Sequence, residues 1–232
     1  MTPAQSLDQS LLTPELMEVY KSRPRDETKR AEREALLAPI WEQTLSAGAK
    51  TYLTGIAREF VYGFHEVVSN KYMDKGIAVE DDSIALYNDV FFSNYRKNTE
   101  RRDNKWLTGE LDLLPGPNKI TDIKSSWSLA TFPVTAQDGH DSLYEWQGRG
   151  YMMLWDKDEF EIAYCMVNTP PELIRYEQPE LHEVDHIPAH LRVTLASYAR
   201  DLTLEQKIIV KCEAAQKFLA SVIEKIKQEH NY

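Results

Sequence analysis

The residues able to do chemistry in this 232-residue chain gather in one window, Gly109-Glu-Leu-Asp-Leu-Leu-Pro-Gly-Pro-Asn-Lys-Ile-Thr-Asp-Ile-Lys-Ser-Ser126. Side chains two apart on a strand share a face, so Glu110 and Asp112 are expected to point one way, as are Asp122 and Lys124 on the next strand. Pro115-Gly116-Pro117-Asn118 predicts a tight loop that turns the two strands into a hairpin. Two or three carboxylates and one lysine then converge on one patch, with Leu111, Leu113 and Ile123 turned into the core. Clustered carboxylates repel one another unless a hard cation sits between them. Mg²⁺ favours one or two carboxylates, with water and phosphate oxygens completing its shell. A lysine beside such an ion can hold or help deprotonate an attacking water and stabilise charge growing on a phosphate. A solvated hairpin face also carries alternating charges, and the spacing alone leaves both readings open.

Other residues compete for attention. His182-Glu-Val-Asp-His186 matches the zinc-protease pattern H-E-x-x-H, which works only on a helix that brings both imidazoles to one face. Pro179 and Pro188 bracket it too closely for such a helix, so polar loop histidines are expected. The two cysteines, Cys165 and Cys212, are too few for a disulfide framework or an iron–sulfur cluster. Cys165, within an apolar run, reads as a small buried hydrophobe. Residues 91–105 hold five basic and two acidic groups. Arg96, Lys97, Arg101, Arg102 and Lys105 form either solvated surface or a strip that tracks phosphates. Trp127 and Phe132, just beyond Lys124, read as core or loop anchors, or as aromatics placed to stack a terminal base.

The elements that must carry these groups follow from periodicity and punctuation. Thr13-Pro14-Glu15 opens a helix, and Asp26 to Leu37 forms another with Pro39 as its stop. Ala47 to Tyr62 has apolar residues at helical spacing and ends at Gly63. Glu80 to Phe91 is a helix preceded by Asp74-Lys75-Gly76. After the hairpin, Ser142 to Trp155 is helical and Phe160 to Val167 is a strand stopped by Pro170-Pro171. Residues 172–190 read as loop with a possible strand, and Leu202 to Gln228 is a long amphipathic helix.

In this order the residues resemble a known family. Asp112 followed ten residues later by Asp122-Ile123-Lys124 is similar to the PD-(D/E)xK nuclease motif, and its surroundings resemble the lambda-type phage exonucleases, the YqaJ-like viral recombinases. Gly76-Ile-Ala-Val-Glu80 resembles the upstream helix that supplies a glutamate. Tyr144-Glu-Trp-Gln147-Gly-Arg-Gly-Tyr151 resembles the helix after the motif, with its glutamine and following aromatic, and the strand at 160–167 comes next. The resemblance covers about residues 72 to 170. It implies that Asp112, Asp122 and the Ile123 backbone carbonyl ligate Mg²⁺, with Mn²⁺ able to substitute. Glu80 would complete the site directly or through water, and Glu110 is a reserve ligand. Lys124 would position the water, while Gln147 and Tyr151, four apart on one helical face, would brace Lys124 or touch a phosphate. Arg101, Arg102 and Lys105 are the candidate DNA-binding cations. The family's N-terminal Arg and Ser segment, which holds a 5′-phosphate, has no counterpart before Glu80; Arg23, Arg25 and Arg58 are the candidate substitutes.

Composition bounds this reading. With 42% hydrophobic and 10% aromatic residues the chain can bury a core, and no apolar run approaches the roughly 18–20 residues that span a bilayer. The start has neither basic nor apolar leader character, so a cytoplasmic protein is expected. The expected architecture is a single α/β domain over 1–232 of restriction-endonuclease-like type, with a helical N-terminal part to about 70, a catalytic core at about 72–170 and a C-terminal helix at about 202–228. The expected function is Mg²⁺-dependent resection of double-stranded DNA ends, 5′ to 3′ by family analogy. The resemblance further implies phage-type recombination, a single-strand annealing partner and a homotrimer. A restriction-type endonuclease and a catalytically inactive DNA-binding module of the same fold stand as alternatives. The net charge of −10 opposes DNA binding at face value. Residues 156–190 hold nine acidic and two basic groups of that excess, and a bound metal would offset the carboxylate cluster.

Overall fold

A computed structural model describes residues 6–230; residues 1–5, which begin the segment tested above for leader character, and 231–232 lie outside the described residues. In chain order the helices are α1 Pro14–Lys21, α2 Glu27–Gln43, α3 Ala47–Tyr62, α4 Lys71–Ala78 and α5 Glu80–Phe91. There follow β1 Arg101–Asp103, β2 Thr108–Glu110, β3 Lys119–Ser125, α6 Ser142–Trp155, β4 Glu159–Cys165, α7 Pro171–Ile174, β5 Val193–Ala199 and α8 Leu202–His230. The described residues make two compact units, one of residues 6–66 with 206–230 and one of residues 67–205. Among the described residues no helix is long and apolar enough to cross a membrane.

The first unit is helical. Thr13, Asp26 and Ser46 each accept a hydrogen bond from the backbone N–H three residues on, capping α1, α2 and α3. Gly63 ends α3 in the left-handed conformation (φ 69°), where a side chain would be strained. Pro39 does not stop α2 as expected; the helix runs through it to Gln43. Pro39 costs about 3 kcal/mol by removing one backbone bond, but Leu37 and Ile40 on either side are buried in the unit's core with Leu7. Each contributes about 2 kcal/mol of apolar burial, which outweighs the loss.

The second unit is a mixed α/β fold. Its three-stranded sheet has the order β3-β4-β5, with β3 parallel and β5 antiparallel to β4. Alternation along β3 turns Ile120 toward Met152 and Trp155 of α6, and Ile123 toward Ile84 and Tyr87 of α5. The sheet is thus covered by α5 on one face and α6 on the other, and Asp122 and Lys124 share the α6 side with Ile120.

Three expectations need correction. The hairpin of 107–114 with 119–125 is reduced to one antiparallel bridge, Leu113 with Thr121. Thr108–Glu110 pairs instead with β1, in the register Arg101 opposite Glu110. Asp112 therefore lies outside any strand and does not share a strand face with Glu110. The two prolines and Gly116 cannot sustain a ladder beyond that bridge. Asp74, Lys75 and Gly76 lie within α4, capped by Asn70, and not in a lead-in to α5. The last strand is β5 at 193–199, whereas 172–190 forms α7 and short 3-10 turns.

Candidate active site

The carboxylate at 112 is placed by backbone bonds. Leu113 and Thr121 exchange both N–H···O bonds at 3.0 Å, and the Asp112 carbonyl accepts from Asn98 N–H at 2.7 Å. The Asp112 side chain then reaches β3, where Oδ2 accepts the Ile123 N–H at 2.7 Å. A strand residue presents its N–H and C=O to the same edge, so the Ile123 carbonyl lies on the edge that Asp112 occupies. Asp122 is almost fully buried, and its Oδ2 accepts no well-directed hydrogen bond; Lys124 Nζ lies 2.5 Å away.

Lys124 is held from α6. Asp141 caps that helix by accepting from Leu143 and Tyr144 N–H at 2.8 and 3.1 Å, a register that puts Tyr144, Gln147 and Tyr151 on one face. The Lys124 ammonium sits 4.7 Å from the Tyr144 ring centroid and 3.5 Å from Gln147 Oε1. Gln147 Nε2 donates to the Tyr151 hydroxyl at 2.9 Å. Tyr151 in turn lies against Gly109, where a Cβ would come within 2.7 Å of the ring. Tyr144 is a site residue that the sequence reading does not single out; the Asp141 cap is the signal that places it.

The electrostatics follow from this crowding. Burial, then the neighbouring Asp122, push the Asp112 carboxyl up to about 7, against a pull downward from the Ile123 N–H and Lys124; Glu80 adds a further upward push. Burial alone would depress Lys124, but the Asp122 carboxylate outweighs it and holds the ammonium above its ordinary value. Glu80, at the start of α5, is ion-paired with Lys97.

Among the described residues no three His, Cys, Asp or Glu side chains converge as a metal-holding group. Asp122 and Glu80 are both near enough to act on Asp112, and the Ile123 carbonyl lies on the strand edge that Asp112 occupies. A buried Asp122 carboxylate whose one close partner is the Lys124 ammonium, beside a second buried carboxylate, suits a hard divalent cation completed by water and phosphate oxygens. His182 is buried beside Thr169 whereas His186 is exposed, and no helix joins them, so the zinc-protease arrangement is not formed.

The remaining sequence candidates are dispersed. Arg101 and Arg102 lie on opposite sides of β1. Arg101 is 3.8 Å from Glu110, and Arg102 pairs with Glu100 at 2.8 Å while lying over Trp155. Lys105 lies over the Trp106 ring at 5.4 Å. Trp127 is buried, with its Nε1 donating to Glu177 at 2.8 Å, so it anchors the core and cannot stack a base; Phe132 packs against the α6 core. In the other unit, Arg23 lines a cleft with Arg30 and Arg33, and Arg25 and Arg58 are exposed.

Comparison with solved structures gives the family. A phage-related exonuclease from Haemophilus somnus is 30% identical and matches over 91% of this chain and 95% of its own, with a TM-score of 0.74. The chain belongs to the phage-related exonucleases. As an exonuclease it is a nuclease with the mixed α/β fold described above, the family to which the PD-(D/E)xK resemblance pointed. An alkaline exonuclease from Laribacter hongkongensis (LHK-Exo) shares the fold at 16% identity over 82% of this chain and 89% of its own, with a TM-score of 0.62. LHK-Exo in complex with dAMP matches at 18% identity over the same shares, with a TM-score of 0.63. No family model matches the chain, and no curated protein matches it by sequence.

The raised Asp112 makes the metal-free exonuclease sensitive to pH. Its folded value, about 7, lies above the ordinary 3.8, so the folded state binds the proton more tightly. The associated stability is present below 3.8 and is lost as pH rises through about 7. In EDTA the melting temperature is expected to fall by about 10 °C across that window, and Mg²⁺ is expected to restore it at the upper end. Calorimetric melts with and without the ion check this; a flat profile in EDTA would contradict it.

Proposed function

We propose that the chain hydrolyses double-stranded DNA from its ends, 5′ to 3′, in phage-type homologous recombination, using Mg²⁺ or Mn²⁺. The observation that carries this reading is the pair of neighbouring buried carboxylates Asp112 and Asp122, with the Lys124 ammonium against the second of them. Asp112, Asp122 and the Ile123 carbonyl would hold the metal, and Glu80 would complete the site directly or through water. When bound, the ion neutralises the carboxylates and draws charge from the scissile phosphate.

The chain's own groups do the rest. Lys124, held beside Asp122, orients the attacking water and donates to the developing charge. Gln147 holds Lys124 in place, and Tyr151 holds Gln147. Water attacks phosphorus in line with the leaving O3′ and gives up its proton to solvent as the new P–O bond forms; the P–O3′ bond breaks, O3′ takes a proton from solvent, and a 5′-mononucleotide leaves with no covalent intermediate. The complex of LHK-Exo with dAMP supports a deoxynucleoside monophosphate as product. The annealing protein, the homotrimer and a cytoplasmic location are part of the same reading.

Linear DNA labelled separately at its 5′ and 3′ ends, digested with Mg²⁺ and with EDTA, tests it. Early release of the 5′ label in Mg²⁺ alone is expected. Cutting of closed circular DNA would favour the endonuclease alternative, and no digestion in either condition would favour the inactive module.

The acidic chain must also draw its substrate to a local basic strip. Arg101→Glu with Arg102→Glu is expected to weaken DNA binding and to reduce the log–log salt slope by about 1 for each phosphate that is no longer neutralised. Arg101 should carry the larger share, because Arg102 is already engaged by Glu100 and Trp155. Unchanged titrations across a salt series would exclude the strip.

A further inference from the structure

Lys75 is the largest side chain that the second unit buries completely. Helical lysines ordinarily reach solvent, and an ammonium buried without a counter-charge is costly. Here no carboxylate compensates it, and burial alone pulls the amine down to about 8. Its three hydrogen bonds go instead to main-chain carbonyls: Ser126 at 2.6 Å, Trp127 at 3.1 Å and Val167 at 3.0 Å. Three donated bonds require three N–H groups, so the arrangement uses the ammonium form.

Those carbonyls mark where β3 and β4 leave the sheet. Ser126 N–H makes the last rung with Cys165 O at 2.9 Å, and beyond it Lys75 gathers both departing chains. One residue upstream, the Ser125 hydroxyl is hydrogen-bonded to the buried Ser83 hydroxyl of α5 at 2.8 Å. The three residues that follow Lys124 are thus each fixed by a separate bond, two of them by a buried cation that the fold retains at a cost.

We propose that Lys75, seconded by Ser83, is a positioning residue for the reaction: it clamps the end of β3 and thereby fixes the backbone from which Lys124 reaches Asp122. Neither side chain contacts the carboxylates, so the clamp acts through Lys124 alone and rests on the role proposed for that residue. Releasing it lets Lys124 drift while Asp112 and Asp122 keep their own supports.

Steady-state digestion of end-labelled duplex DNA by Lys75→Met, which keeps the chain length and loses the donors, tests the clamp. The expected result is a kcat lowered by about 10- to 100-fold with KM unchanged, measured well below the variant's melting temperature, and with Mn²⁺ binding retained by calorimetry. Ser83→Ala buries no charge and carries the test if Lys75→Met does not fold; a several-fold lower kcat with unchanged KM is expected. In Lys75→Ala, ethylammonium chloride should restore part of the kcat where sodium chloride of equal strength does not. A wild-type kcat in the folded Lys75→Met or in Ser83→Ala overturns the clamp, as does loss of Mn²⁺ binding in parallel with kcat. Wild-type protein that leaves the DNA intact in Mg²⁺ would overturn the nuclease reading, and this inference with it.

Discussion

Asp112→Asn is expected to be more stable than the wild type in EDTA at about pH 8 and yet to digest DNA about 10²–10³-fold more slowly. At that pH the wild type must ionise a carboxyl that burial and Asp122 hold up to about 7. Asparagine removes this cost and keeps a carbonyl oxygen for the Ile123 N–H. The stability difference should shrink toward about pH 5, where Asp112 is already protonated. Adding Mg²⁺ should reverse the order, because only the wild type gains from the ion. Gain of stability with loss of activity separates a charge kept for the site from one kept for the fold. Melting curves of both proteins with EDTA and with Mg²⁺ decide it; a variant less stable than wild type in EDTA at the higher pH would show that the aspartate serves the fold.

The second large effect concerns a residue that touches no candidate ligand. Gly148 lies where α6 crosses β4, and a Cβ there would fall 1.9 Å from Phe160 Cδ1. Phe160 is buried to 1% exposure among Ile120, Met152 and Ile162 and has no room to retreat. Gly148→Ala must therefore lift α6 off the sheet or tear Phe160 from its core, at a cost of about 3 kcal/mol or more. A melting temperature lower by roughly 10 °C is expected. Gln147 and Tyr151 ride on the displaced helix, so kcat should fall even where the variant remains folded. Phe160→Leu in the same chain should recover part of both losses. An alanine variant with wild-type stability would mean that the helix and strand do not pack as described.

How far the sequence discloses this arrangement depends on whether a residue's neighbours are local. The end of α3 is legible because its stop, Gly63, acts within one turn, and α5 and α6 span the residues expected of them. The spacing of Asp112, Asp122 and Lys124 alone leaves a solvated charged face open; it is the fold that brings Asp112 to β3 and Lys124 against Asp122. The hairpin expected to join them is wrong in extent. Which strand Thr108–Glu110 pairs with is decided by Arg101–Asp103, and local alternation carries no information about that partner. Val193–Ala199 escapes notice for a similar reason, since its half-buried pattern acquires meaning only in register with β4. Pro39 misleads because a helix stop says nothing of the burial of Leu37 and Ile40. Lys75 carries no local signal at all: a lysine in a helix reads as solvated, and only three carbonyls from residues 51 to 92 positions away reveal otherwise.

The edge of β3 has one more consequence. An unpaired strand edge is a template on which other chains can add, and proteins guard such edges with charge or interruption. Here, beyond the single Leu113 bridge, the place of a fourth strand is taken by the Asp112 carboxylate, which occupies the Ile123 N–H. The Asp112 side chain therefore also closes the sheet against growth. A variant that shortens it to Ala would bare the Ile123 N–H, and its failure at high concentration would be self-association rather than unfolding.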